Sequence, residues 1–193
     1  MQFLMSRVEL CYNLITICLA VCFAFSSIEA EASAVCATEA VLVINDQDTI
    51  NAFVENYGTC DTMPYGLTIS GSGITQVDGL SNLQSIRGDL ELITPDLTDL
   101  SGLSRLQSVE GRLLLQNTQL VNIDALSSLK EIGGFTASNN WLLENVDGLA
   151  SITELSGFLS IHTNPMIWDI DGLSNLESVE GVVQVVYNDG LTD

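Results

Sequence analysis

From residue 66 to residue 193 the apolar residues fall into short, evenly spaced groups. Leu83, Leu106, Leu129, Ile152 and Leu176 open the groups, and Ile86, Val109, Ile132, Leu155 and Val179 follow three residues later. Two residues further on stands a glycine each time: Gly88, Gly111, Gly134, Gly157 and Gly181. Alternation then takes over, with Leu90 and Leu92, Leu113 and Leu115, Leu159 and Ile161, Val183 and Val185. A period of two describes a short strand with one buried face, and stacking such strands makes a parallel sheet. In the third group these slots hold Thr136 and Ser138, which predicts a polar, thinly packed spot in the core.

The groups belong to a repeat. Asp78-Gly79-Leu80-Ser81-Asn82-Leu83 returns as Asp171-Gly172-Leu173-Ser174-Asn175-Leu176, with related phrases starting at Ser101, Asp124 and Asp147. The first leucines, Leu80, Leu103, Leu126, Leu149 and Leu173, recur at an almost constant step, the last one longer by a single position. A period in the twenties predicts a solenoid whose coils stack on one shared core. The predicted fold is therefore mainly β, a leucine-rich-like solenoid of roughly 23-residue turns. The marker glycines are expected to supply a positive φ or a tight corner between two short strands.

Two polar ladders follow from this register. Asn117, Asn140, Asn164 and Asn188 each precede an apolar residue by three, and stacked amides can bond the backbone of adjacent coils. Asp78, Asp124, Asp147 and Asp171 form the other ladder, with Ser101 in the same slot. Each can cap the turn that follows it. A calcium column is the alternative, since hard cations take carboxylate oxygens, but the serine fits a cap better. Trp141 and Trp168, in segments after the strands, are expected to close corners rather than bind sugars. His162 is expected to be an ordinary surface histidine.

Ahead of the repeats the pattern changes. Val41 to Ile44 reads as a short strand, and Asp48 can cap a helix running through Asn56 with Gly58 as its stop. At the N-terminus, Leu14 to Phe25 is an uninterrupted apolar run. As a helix it reaches about 18 Å, short of a bilayer core of roughly 30 Å. Ala32-Ser33-Ala34 fits a cleavage site and Ala30 offers a second, so residues 1–34 read as a secretory signal peptide; an uncleaved signal-anchor is the alternative. Cys11, Cys18 and Cys22 leave with it. Cys36 and Cys60 remain, an even pair in an oxidising compartment, and predict a disulfide that pins a helix-bearing cap, residues 35–65, over one end of the repeats at 66–193.

Charge narrows the partners. The chain has a formal net charge of -20 with five Lys and Arg, which argues against nucleic acid and against docking on anionic lipid. No nucleophile elbow, phosphate loop or zinc motif occurs, and one histidine does not make a triad. No catalytic residue, metal site or cofactor is expected.

The order cysteine, strand, helix, cysteine, followed by GLTISGSGITQVDGLSNLQSIRGDLEL from Gly66 to Leu92, resembles the receptor L domain. That family is the right-handed β-helix of insulin- and EGF-receptor ectodomains. The repeats are also similar to those of fungal GPI-anchored cell-wall proteins. The resemblance covers about Cys36 to Asp193 and implies an extracellular or cell-surface module that binds a protein or glycan through its sheet face. A structural or adhesive wall or matrix protein is the alternative. In the register above, Asp89, Arg112, Phe135, Phe158 and Val182 form one outward column, with Leu114 in the next. Arg112, Leu114, Phe135, Phe158 and Val182 are the candidate ligand face, unless they only stabilise the sheet by cross-strand pairing. The repeat stops soon after a last strand, Val182 to Val186, so the solenoid is expected to be truncated, with self-association through its open C-terminal end.

Overall fold

The computed structural model describes residues 35–191; the expected signal peptide lies outside them. The chain opens with β1 (Leu42–Ile44), α1 (Gln47–Asn51) and α2 (Phe53–Tyr57). Strands β2 (Thr62–Met63), β3 (Leu67–Ser70), β4 (Ser85–Ile86), β5 (Leu90–Ile93), β6 (Ser108–Gln116) and β7 (Glu131–Ser138) follow. Strands β8 (Glu154–Leu155), β9 (Leu159–His162), β10 (Ser178–Val179) and β11 (Val183–Val186) complete the set. Five single 3-10 turns, starting at Asp78, Ser101, Asp124, Asp147 and Asp171, separate the coils.

The architecture is mainly β and its strand pairing is parallel throughout the described residues. The principal sheet runs β1-β3-β5-β6-β7-β9-β11, while β2, β4 and the start of β6 form a second ladder at the corner before it. Early pairings advance by the repeat period: Leu67 faces Leu90, and Leu90 faces Leu113. Each strand turns its aliphatic slots inward. Leu67, Ile69, Leu90, Leu92, Leu113 and Leu115 are all buried.

The third coil corrects the sequence register. Val109 pairs with Ile132, a full period on, but Arg112 pairs with Gly134, one position short of a period, across an irregularity. The corner has lost a position, and with a side-chain period of two the residues after it change faces. Phe135 and Ala137 therefore fill the inward slots, fully buried, and Thr136 and Ser138 take the outward ones. The expected thin spot in the core does not exist.

The glycine column shows the same shift. It runs Gly88, Gly111, Gly133, Gly157, Gly181, with Gly157 N–H donating to Gly133 O at 2.6 Å and Gly181 N–H to Gly157 O at 2.8 Å. None of these has a positive φ. What excludes a side chain is backbone packing between coils: a Cβ on Gly88 would sit 2.5 Å from Gly66 N.

At the N-terminal side, α1 starts at Asp46, not Asp48. The Asp46 carboxylate accepts from Thr49 N–H at 2.7 Å and from Thr49 Oγ1 at 2.8 Å. The helical stretch is broken at Ala52 into two short pieces, and Gly58 ends the second with φ 74°. Ile50 and Phe53 are buried in the same core as the strands. Cys36 and Cys60 form a disulfide with both residues buried, and Cys36 N–H donates to Thr62 O at 2.8 Å.

Candidate functional site

Strands β3, β5, β6, β7, β9 and β11 present a second face away from the core. Its columns follow from the observed register. One contains Asp89, Arg112, Gly134, Phe158 and Val182, and the next contains Glu91, Leu114, Thr136, Ser160 and Gln184. Arg112 is the basic centre of this face. Its guanidinium pairs with Glu91, its backbone N–H donates to Asp89 Oδ1 at 2.7 Å, and Thr68 Oγ1 donates to Glu91 Oε2 at 3.1 Å. Phe158 is 40% exposed and Val182 more so, whereas Leu114 is nearly buried between its neighbours.

Of the five residues expected on this face, Arg112, Leu114, Phe158 and Val182 lie there. Phe135 does not: it is a core residue, turned inward by the short third corner. Gly134 stands in its place, and a Cβ there would lie 3.0 Å from Phe158 O. Sequence reasoning missed Thr136, which lies in the next column between Leu114 and Ser160. Thr136 Oγ1 and Arg112 Nε are buried without a hydrogen-bond partner. Toward β1 the face continues into a shallow depression lined by Val41, Tyr65, Thr68, Arg87, Asp89 and Glu91.

Asn140, Asn164 and Asn188 form a hydrogen-bonded stack. Asn140 N–H and Nδ2 donate to Asn164 Oδ1 at 3.0 and 3.2 Å, and Asn164 repeats both bonds onto Asn188 Oδ1. Their amides also donate to carbonyls of the preceding coil: Asn140 to Leu115, Asn164 to Ala137, Asn188 to Ile161. Asn117 is not a member. It is exposed with φ 56°, and Thr118 takes the ladder position, donating its N–H to Asn140 Oδ1 at 2.9 Å. In this coil the corner is shorter by one position, so counting back from Leu120 lands on the wrong residue.

The aspartate ladder also differs from its expected role. No side chain of Asp78, Asp124, Asp147 or Asp171 caps its own turn. Their backbone N–H groups are instead bonded by the side chain two residues earlier: Gln76, Asn122, Asn145 and Asp169, with Asp99 serving Ser101. This leaves the carboxylates as an exposed ridge. Asp78 Oδ1 accepts from Ser101 Oγ at 3.1 Å. Partial desolvation, then the neighbouring Asp169, Asp124 and Asp171, raise the pKa of Asp147 above the ordinary aspartate value. Among the described residues no group of three or more acidic, His or Cys side chains is arranged to hold a metal ion, and no helix is long and apolar enough to cross a membrane. Trp141 sits within the corner after β7 and Trp168 just beyond the corner after β9, and both side chains are exposed. His162, partly buried, has Nδ1 3.4 Å from Thr163 Oγ1.

Comparison with curated proteins and with solved structures found no match. Residues 59–143 match the model of the Receptor L domain, a stretch that takes in β3, β5, β6 and β7, and so the family resemblance carried by the repeat is shown for the part of the chain that builds most of this face.

Proposed function

We propose that this chain is a non-catalytic extracellular recognition module: a solenoid of roughly 23-residue coils closed at one end by a disulfide-linked cap, exported on the signal peptide at residues 1–34. Its ligand is a protein or glycan held on the outer sheet face by Arg112, Leu114, Thr136, Phe158 and Val182. The Receptor L domain match carries this reading, because the family is that of ligand-binding receptor ectodomains and the matched strands form most of the face, with Arg112, Leu114 and Thr136 inside the matched stretch and Phe158 and Val182 beyond it. The Cys36–Cys60 disulfide fits an oxidising compartment. The exposed Phe158 and Val182 supply apolar area in the same column as Arg112, a combination suited to a contact centre.

The test is binding of the secreted, fluorescently labelled chain to arrays of glycans and of extracellular proteins. Phe158→Ser with Val182→Ser is expected to weaken a saturable hit about tenfold or more without changing the circular dichroism spectrum. A hit indifferent to both changes, or none at all, rejects the sheet face as the site. The structural or adhesive alternative draws on a different observation: β11 has one neighbour only among the described strands, and Val183 and Val185 are left partly uncovered. Self-association through that edge, seen as concentration-dependent sedimentation, favours it.

A further inference from the structure

The corners after β5, β7, β9 and β11 are turns closed by an i to i+3 backbone bond, the first from Leu97 N–H to Thr94 O. Leu143 N–H donates to Asn140 O, Ile167 N–H to Asn164 O and Leu191 N–H to Asn188 O. The two central residues of such a turn point to solvent and are ordinarily Pro, Asp or Gly. The first and last of these corners obey, with Pro95-Asp96 and Asp189-Gly190. The corner after β7 places Trp141-Leu142 there instead, the corner after β9 follows Pro165 with Met166, and Trp168 directly follows the buried Ile167. Trp141 is 60% exposed and Trp168 58%, with Leu142, Met166 and Val121 also exposed. Neither the turn geometry nor the core requires any of these side chains. A cluster of exposed Trp, Met and Leu on successive coils marks a contact surface.

Its surroundings are of one sign. Glu144 lies in the same column as Val121 and Trp168, since Glu144 N–H donates to Val121 O and Trp168 N–H to Glu144 O. Asp169 follows directly, and the aspartate ridge of Asp124, Asp147 and Asp171 runs alongside. From Glu131 to the end of the sequence there is no Lys or Arg to neutralise them. We propose that this corner is a second binding surface, separate from the sheet face, and that its partner is a cationic amphipathic peptide segment. Apolar side chains of the partner cover Leu142 and Met166, while its Lys or Arg groups meet the carboxylates and the tryptophan faces.

The molecule carries its own reporter, because its two tryptophans are both on this surface. The probe is a synthetic helical peptide of Lys and Leu, titrated against the secreted chain while tryptophan emission is followed. The expected result is a saturable shift to shorter wavelength, weakened by salt. Leu142→Ser with Met166→Ser keeps both reporters and is expected to weaken binding about tenfold, whereas Phe158→Ser leaves it unchanged. If the double variant melts early, Trp141→Ser read through Trp168 replaces it. The proposal is overturned if a Glu and Leu peptide shifts the emission equally, or if polylysine without apolar residues does so. It is equally overturned if the double variant binds as tightly as the parent, or if a neutral oligosaccharide shifts the emission and the peptide does not.

Discussion

Phe135 and Phe158 stand a full repeat period apart, yet one is core and the other is surface. Phe135→Ala is expected to destabilise the fold by about 3–5 kcal/mol, the cost of a cavity at a closed position. Phe158→Ser is expected to cost under about 1 kcal/mol, because only cross-strand contact is lost. Chemical denaturation of the two variants checks this; equal losses would contradict the observed register. The pair also shows where the sequence stops being legible. Gly133-Gly134 offers two choices of corner. Keeping Gly134 preserves the regular step but turns Thr136 and Ser138 inward, whereas Gly133 turns Phe135 and Ala137 inward. Core chemistry, rather than counting, decides between them, and two polar residues in an otherwise aliphatic column were the readable warning. Asn164 carries more than its size suggests. Asn164→Ala strips Asn140 N–H of its acceptor and leaves Asn188 Oδ1 without a side-chain donor, all in the buried ladder. A loss of about 3 kcal/mol or more is expected from such orphaned groups. A loss below about 1 kcal/mol, measured the same way, would show that water enters the ladder.

At the scale of elements, the segment before the repeats depends on local chemistry that a repeat pattern does not report. The helix was legible in α1 and α2, but its start was not, because Asp46 and Asp48 are both cap-forming residues and only the geometry chooses Asp46. Its bonds from the Thr49 backbone and hydroxyl hold the Asp46 pKa below the ordinary aspartate value. A depressed carboxylate pKa means that the cap contributes its full stability above the unfolded aspartate value and loses it as pH falls through the lower folded one. Acid unfolding of Asp46→Asn is therefore expected to converge with the parent at low pH and to differ from it near neutrality. A constant difference across pH would mean that charge plays no part. The disulfide was legible from the even pair alone. It closes a sequence separation of 24, for which chain entropy predicts a stabilisation of roughly 3–4 kcal/mol. Cys36→Ser with Cys60→Ser is expected to lower the thermal midpoint by that equivalent while leaving the far-UV spectrum of the strands in place. An unchanged midpoint would show that the Cys36–Thr62 backbone bond and the buried Ile50 and Phe53 hold the segment without it.

Across the whole molecule, stability in a stack of coils is set by neighbours, so the ends of the stack report on what covers them. At the β1 end, Ile50 and Phe53 of α1 and α2 and both disulfide cysteines are buried in the shared core, Leu42 of β1 is partly buried, and Leu67, its partner on β3, is fully buried. At the other end the same slot opens progressively: Leu90, Leu113 and Phe135 are fully buried, Leu159 almost so, and Val183 is 57% exposed. Strand β11 hydrogen-bonds to β9 on one side, and no described strand pairs with its other side. Local opening should therefore begin at β11 and advance toward β7, because each coil released exposes only its own interface. Native-state hydrogen exchange is expected to show protection highest in β5, β6 and β7, lower in β9 and lowest in β11, with β3 as protected as the centre. Uniform protection at every protein concentration would contradict this gradient and imply a single cooperative unit. Protection at β11 that rises with concentration while β3 stays constant would instead mean that a second copy covers the edge. Dilution thus separates a frayed end from an occupied one, and the same exchange data locate it to the strand.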